Sequence, residues 1–203
     1  MRCVLGLDSG GSKCDALVAT EDGVVIGWGH VDVLDPRSGR DDRGGSGRSR
    51  RTVRQAAQDA LRDITCDELH VTCLGGAVPL GFWRRADVGR VLLHPAAEHN
   101  AAFTLVGERC GVVALAGTGA FAYGRTRDGR DLHLDGLGPL LGDYGSGYHI
   151  GSMAIRAAAK SRWHPRWKTA LEETVTDAIG GTWRPGTRDS SLVEFMLGPR
   201  DRA

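Results

Sequence analysis

The chain has 203 residues, of which 41% are hydrophobic, and a formal net charge of +1. This length suffices for one large domain or two small ones, and the near-neutral charge argues against a dedicated nucleic-acid or membrane-surface protein. No stretch approaches the roughly 18 apolar residues of a membrane span, and the first apolar run reaches a glycine-rich turn too soon for a signal peptide. Because the five cysteines show no CxxC spacing, we expect reduced thiols and a cytoplasmic protein.

The N-terminal segment predicts three short strands. Apolar runs at 3–7, 16–19 and 24–28 are separated by turns, a pattern typical of an antiparallel meander. In the first turn, Asp8 is followed by Ser9-Gly10-Gly11-Ser12-Lys13, which offers backbone N–H groups, two hydroxyls and an ammonium group to a phosphate. It is not a Walker A loop, because a strand and not a helix follows Lys13.

The next segment changes in composition. Between Asp35 and Arg54 the sequence has seven arginines and three aspartates. Aromatic residues for base stacking are absent, so a mobile, solvated loop over 32–51 is favoured over a nucleic-acid-binding arm.

Further apolar patterns predict the elements that follow. One face of a predicted helix over 52–64 carries Val53, Ala56, Ala57, Ala60, Leu61 and Ile64. The later predictions are a strand at 68–74, a helix at 80–88, a strand at 91–94 and a helix at 98–106.

A second strand–turn–strand unit begins at Gly111. The strand 111–116 leads into Gly117-Thr118-Gly119-Ala120, which formally fits the dinucleotide signature G-x-G-x-x-A. That signature requires a helix next, but here a second strand and an Asp128-Gly129 hairpin follow. The chain thus repeats its N-terminal pattern, and two such turns facing one another would hold a nucleotide between two lobes.

The most glycine-rich stretch, 137–151, centres on Asp143. It precedes a predicted helix over 146–159, whose N-terminus would favour an anion. A second interpretation stays open, in which this is a plain turn and Asp143 satisfies N–H groups of the loop. A helix over 165–179, with Pro165 in its first turn, is the last element predicted.

Three motifs in this order, LGLDSGGSKCDALVATEDGVVIGWG, VVALAGTGA and GLGPLLGDYGSGYHIG, resemble the BadF/BadG/BcrA/BcrD ATPase family. The family includes N-acetylglucosamine kinase and belongs to the actin-like, sugar kinase and Hsp70 superfamily. The resemblance implies an α/β protein with a ribonuclease-H-like fold in each of two lobes, here 1–107 and an incomplete second lobe at 108–203. It also implies ATP with Mg²⁺ in the cleft.

The resemblance also implies roles for individual residues. Asp8 would hold magnesium through water, and Asp143 would bind sugar hydroxyls together with Asn100, Gly142 and Gly145. The nucleotide phosphates would face Gly10, Gly11, Ser12, Lys13, Gly117, Thr118 and Gly119.

Three departures from the family pattern stand out. Ala101 occupies the position of the catalytic Asp that follows Asn in the family, and we place Glu98, three residues earlier, in a different direction. Ala120 and Tyr144 replace a serine and a glutamate of the motifs. Family members are also about half as long again, so the chain resembles a C-terminally truncated relative whose exposed apolar surface favours a homodimer or instability.

Three functions follow as hypotheses. The first is an ATP-dependent kinase of N-acetylglucosamine or a related amino sugar. The second is a paralogue that binds nucleotide or sugar but transfers phosphate poorly, which Ala101 and the short length favour. The third is an activator ATPase of the 2-hydroxyacyl-CoA dehydratase type, which ranks last because no cysteine lies in a context suited to a shared iron–sulfur cluster.

Overall fold

The computed structural model describes residues 1–32, 45–75, 80–83, 88–161 and 163–178. Helices and strands alternate between residues 25 and 116. In chain order the elements are β1 (Arg2–Ser9), β2 (Lys13–Thr20), β3 (Val25–Asp32), α1 (Gly45–Ala60), β4 (Cys66–Leu74), α2 (Leu80–Trp83), β5 (Val88–Leu93), α3 (Glu98–Val106), β6 (Gly111–Ala116), β7 (Ala120–Arg125), β8 (Asp131–Asp135), α4 (Gly147–Lys160), a 3₁₀ helix (Pro165–Trp167) and α5 (Leu171–Ala178).

The first five strands form one mixed sheet in the order β3-β2-β1-β4-β5. The β1–β2 and β2–β3 pairs are antiparallel, which confirms the predicted meander. The β1–β4 and β4–β5 pairs are parallel. β1 therefore lies at the centre, and its carboxyl end, where Asp8 lies, adjoins the carboxyl end of β4.

One face of this sheet carries the core. Alternate residues of β1 are buried, and α1 covers them with the face that the sequence predicted. Within that predicted face, Leu61 and Ile64 are only partly buried, because the chain leaves the helix after Ala60 and turns. The fully buried side chains include Leu5, Leu7, Val18, Val53, Ala56, Ala57 and Leu69.

Helix α1 lies directly on the backbone of β3. A Cβ atom added at Gly27 would lie 2.1 Å from the carbonyl oxygen of Ala60, and one added at Gly29 would lie 2.1 Å from that of Ala56. Since Cβ atoms do not approach oxygen this closely, these two glycines allow the helix and the strand to pack without side chains between them.

Several predicted boundaries were wrong. The arginine-rich segment was predicted as a loop up to residue 51, but α1 already begins at Gly45; residues 33–44 lie outside the described part. The helix predicted over 80–88 ends at Trp83 in the described part, and Val88 begins β5. The last predicted helix divides into a 3₁₀ helix and α5, and the predicted strand 91–94 begins earlier, at Val88.

The second sheet has the order β6-β7-β8 and contains the predicted second hairpin. Thr126 closes that hairpin through backbone hydrogen bonds with Gly129 and Arg130. The N-terminal strand–turn–strand pattern is therefore repeated, as the sequence indicated.

The described chain divides into two compact units, one comprising 1–118 and 122–134 and the other 119–121 and 135 onward. In the second unit α4 packs against α5 around Ala158 and Val175, and the Ser161 hydroxyl donates to Glu172 at 2.5 Å. The lobe boundary at 107/108 stays a prediction. All five cysteines are free, and none of the described helices is long and apolar enough to cross a membrane.

Replacing Gly29 with alanine should destabilise the first unit. The added methyl would overlap the Ala56 carbonyl, so α1 must move away from β3, and we expect a loss of about 1–3 kcal/mol in the free energy of unfolding. Denaturant unfolding measures this loss. Gly6→Ala is the matched control, because nothing lies within 4 Å of its added Cβ; equal losses in both variants would contradict the packing described for α1.

Candidate functional site

The turn between β1 and β2 presents polar groups at the carboxyl end of β1. Asp8 points away from the core, since Leu7 and Ser9 on either side of it are buried. The Gly10 N–H donates to the Lys13 carbonyl at 2.9 Å, which closes the turn. The predicted phosphate-binding residues 10–13 thus form one tight turn next to Asp8.

This turn touches the second small-residue turn of the chain. The hydroxyls of Ser12 and Thr118 lie 3.0 Å apart and share a hydrogen bond. A Cβ atom at Gly11 would lie 3.0 Å from the Thr118 methyl group, so glycine is needed for this approach. The structure therefore brings together the first turn and Thr118, which follows Gly117 after β6.

The Lys13 side chain lies on the same sheet face as Asp15, two residues along β2. Its Nζ lies 2.8 Å from Asp15 Oδ2, and His30 Nδ1 lies 2.6 Å from Asp15 Oδ1. The hydrogen bond from His30, and then that from Lys13, holds the pKa of Asp15 below its usual range. The hydrogen bond to Asp15 raises the pKa of Lys13, so the ammonium group stays charged at neutral pH. We did not anticipate Asp15 from the sequence, although its period-two spacing from Lys13 was a signal.

A cavity of about 590 Å³ lies on the sheet face opposite α1. Its lining includes Asp8, Asp15, Asn100 and Ala101, with apolar side chains such as Leu17 around them. Three residues to which the resemblance gave different roles, namely metal holder, sugar ligand and base position, therefore share one cavity. Its size is within the range of small-molecule sites.

Asp8 and Asn100 are available to a ligand. Within the described residues, neither the Asp8 carboxylate nor the Asn100 amide makes a hydrogen bond or ion pair. Nor do any three described His, Cys, Asp or Glu side chains form a metal-binding group. One accessible carboxylate suits Mg²⁺, which binds proteins through one or two carboxylates and keeps several waters. The site therefore fits the water-mediated role expected for Asp8.

Glu98 is the first residue of α3, the helix whose Asn100 and Ala101 line this cavity. Its Oε1 is 3.4 Å from where a Cβ of Gly75 would stand, and the same Cβ would be 2.4 Å from the Ser9 carbonyl oxygen. The Glu98 carboxylate thus lies at the carboxyl ends of β4 and β1. In the described part of the chain it has no hydrogen-bonding partner.

The first turn of α3 is held by an aromatic and ionic cluster that the sequence did not reveal. The His99 ring stacks on Tyr123 with centroids 3.7 Å apart. Arg125 donates to the Tyr123 hydroxyl at 2.6 Å and to Asp131 at 2.8 Å. Burial, followed by the nearby Arg125 charge, lowers the pKa of His99, so its ring is neutral at pH 7. This cluster fixes His99, the residue between Glu98 and Asn100, against Tyr123 of β7.

In the second unit, Asp143 lies next to Gly119. Asp143 Oδ1 accepts a hydrogen bond from the Ala120 N–H at 3.3 Å, and a Cβ of Gly119 would lie 3.1 Å from Oδ2. The Asp143 side chain is buried, with 8% exposed. These contacts agree with the interpretation that Asp143 satisfies loop N–H groups, and its binding of sugar stays a prediction.

The remaining predicted residues shape the same loop. Gly145 has φ +84°, a conformation that favours glycine. Ser146 caps α4 by accepting from the His149 N–H at 3.0 Å, and its side chain is fully buried. Gly142 is packed against Asp135, a residue that the sequence did not single out.

Searches for known proteins found relatives, although no family model matches the chain. An N-acetylmuramic acid/N-acetylglucosamine kinase of Clostridium acetobutylicum is 29% identical over 199 positions, which cover 88% of this chain and 60% of that protein. An N-acetyl-D-glucosamine kinase of Dictyostelium discoideum is 33% identical over 97 positions, 48% of this chain and 29% of that protein. The chain therefore spans less than two thirds of these curated relatives.

Two solved structures share the fold. A candidate N-acetylglucosamine kinase from Chromobacterium violaceum has a TM-score of 0.67 at 17% identity, covering 98% of this chain and 70% of that one. Another, from Porphyromonas gingivalis, has a TM-score of 0.55 at 20% identity, covering 96% and 71%. The chain is thus similar in sequence to N-acetylglucosamine kinases and shares the fold of these two structures, in agreement with the resemblance that its motifs indicated.

Proposed function

We propose that this protein is an ATP-dependent kinase that phosphorylates N-acetylglucosamine or a related amino sugar. The observation that carries the proposal is the cavity beside the β1–β2 turn, in which Asp8 and Asn100 are both free to bind ligand. The kinase names of the two curated relatives give the substrate class. Phosphoryl transfer depends mainly on positioning and on charge stabilisation, which backbone donors and a lysine can supply.

In this proposal the β1–β2 turn binds the phosphates of ATP. The Gly11 N–H, the Ser12 hydroxyl and the Lys13 ammonium group are the donors, while the Gly10 N–H closes the turn on the Lys13 carbonyl. Gly117, Thr118 and Gly119 form the second set. The Lys13 ammonium group would leave the Asp15 carboxylate and bind a phosphate instead. The exposed position of the Lys13 side chain allows this movement. Asp8 would hold Mg²⁺, which would supply positive charge to neutralise the phosphates.

We further propose that Glu98 is the catalytic base that accepts the sugar hydroxyl proton. Residues three apart on a helix differ by about 60° in direction, so Glu98 and Ala101 lie on the same side of α3. Here we depart from the sequence-based expectation that Glu98 points in a different direction, which stays a prediction. Asp15 keeps its contact with His30 when Lys13 turns to a phosphate, and Asp8 is assigned to the metal. Glu98 is therefore the carboxylate near the described cavity that remains for proton transfer.

A second candidate function is a paralogue of the same fold that binds nucleotide or sugar without efficient transfer. The apolar Ala101 in the cavity favours it. Calorimetry with ATP-Mg²⁺ and with N-acetylglucosamine, followed by a coupled ATPase assay on the same sample, separates the two. Sugar-stimulated turnover supports the kinase, binding alone supports the paralogue, and the absence of both overturns both proposals.

Asp8→Asn tests the proposed metal role. Loss of the carboxylate should weaken magnesium-dependent nucleotide binding by about 10- to 100-fold, the effect typical of removing an outer-shell metal partner. Calorimetry with and without Mg²⁺ measures the change, and the melting temperature should stay close to that of the wild type. Asp22→Asn, in the exposed β2–β3 turn, is the control. Unchanged magnesium-dependent affinity in Asp8→Asn would contradict the assignment.

Glu98→Gln tests the proposed base. The amide cannot accept the proton, so turnover should fall about 100- to 10,000-fold while nucleotide and sugar affinities change little. Stopped-time or coupled assays measure the turnover rate. Glu108→Gln, beyond the C-terminus of α3, is the control. Ala101→Asp tests the alternative that the base belongs at position 101. A large gain in turnover in Ala101→Asp, together with unchanged turnover in Glu98→Gln, would place the base at 101 and overturn the role of Glu98.

A further inference from the structure

The loop between β8 and α4 is built around the side chain of Asp135. Asp135 ends β8 with φ +67°, and Asp143 follows with φ +59°. Left-handed backbone is uncommon for residues other than glycine, although Asp tolerates it better than most. Two such residues in one loop indicate that specific contacts hold the backbone there.

Those contacts are hydrogen bonds to the Asp135 carboxylate. Its Oδ1 accepts from the Asp143 N–H at 2.6 Å, and its Oδ2 accepts from the Tyr144 N–H at 2.9 Å. These two N–H groups, the Asp143 one foremost, act with those of Leu137 and Gly136 to hold the pKa of Asp135 below its usual range, so it is ionised at neutral pH. One carboxylate therefore organises both ends of the loop.

Gly142 is required for this arrangement. A Cβ atom at position 142 would lie 2.0 Å from Asp135 Oδ1, so any side chain there would displace the carboxylate from the N–H groups it binds. The glycine of the Gly-Asp pair at 142–143 is thus explained by Asp135 and does not need a ligand to explain it.

The position of Asp143 has a further consequence. With its backbone fixed, the Asp143 side chain turns to the Ala120 N–H and to Gly119. Asp135 does not contact Ala120 N–H itself, but it determines where the Asp143 carboxylate stands.

We propose that Asp135 is a positioning residue, which sets the backbone of Asp143 and Tyr144 and thereby places the Asp143 carboxylate for the sugar. The last part of this inference rests on the proposed kinase function. The two hydrogen bonds from the Asp143 and Tyr144 N–H groups to the Asp135 carboxylate, here called the clamp, do not depend on activity. The clamp can therefore be tested separately.

Asp135→Asn tests the clamp by amide hydrogen exchange. The amide side chain has one acceptor oxygen instead of two, so protection of the Asp143 and Tyr144 amides should fall about 10- to 100-fold, the range expected for a hydrogen bond to a charged group. Ala120 should lose protection as well. Asp128→Asn, at the β7–β8 hairpin tip, is the matched control and should leave these amides unchanged. Wild-type protection of the Asp143 and Tyr144 amides in Asp135→Asn would overturn the inference.

Calorimetry on the same full-length variants tests the functional part. Sugar affinity should fall about 10-fold or more in Asp135→Asn, while ATP-Mg²⁺ affinity should stay within about twofold of the wild type. Equal losses for both ligands would indicate a merely structural role and overturn the positioning assignment.

If the wild type binds no sugar, the proposed function fails, and hydrogen exchange alone decides on the clamp. Should Asp135→Asn not fold, Asp135→Glu, which shifts the charge by one methylene group, should lose the same protection.

Discussion

The alternation of side chains along β1 is the constraint on which the rest of the structure depends. Successive residues of a strand point to opposite faces of the sheet, so Leu5 and Leu7 enter the core beneath α1 while Asp8 faces the cavity. Because β1 is central, Asp8 has β2 on one side and β4 on the other. A shift of one residue in its register would bury Asp8 and expose Leu7. The core and the candidate site are therefore specified together.

Strong local patterns made part of this fold predictable. The meander β1–β3, α3 and α4 have clear periodicity and turn residues, and their predicted positions agree with the structure. The start of α1 was missed because Gly45, Ser46 and Gly47 are poor helix formers. The segment 80–88 was predicted as one helix, but its last residue, Val88, is the first residue of β5.

The candidate site was predictable only where motifs marked it. Asp8, Asn100 and the turn 10–13 were found because of the glycine pattern and the resemblance. Asp15 and Asp135 were not, since their roles come from partners brought near by the fold: His30 on the next strand, and the N–H groups of Asp143 and Tyr144 eight and nine residues along. Tyr123 and Arg125 likewise gain their role from contacts that the fold creates, with His99 and Phe103 of α3.

The hydroxyl pair of Ser12 and Thr118 has a consequence for ligand entry. A neutral hydrogen bond contributes only about 1 kcal/mol net, whereas a bond from a hydroxyl to a charged phosphate is stronger. The pair therefore holds the two turns together only weakly, and in the proposed kinase a phosphate would replace this hydrogen bond at little cost. Thr118 contributes both the hydroxyl of this pair and the methyl group that lies against Gly11. Serine at this position would keep the hydrogen bond and lose the methyl contact.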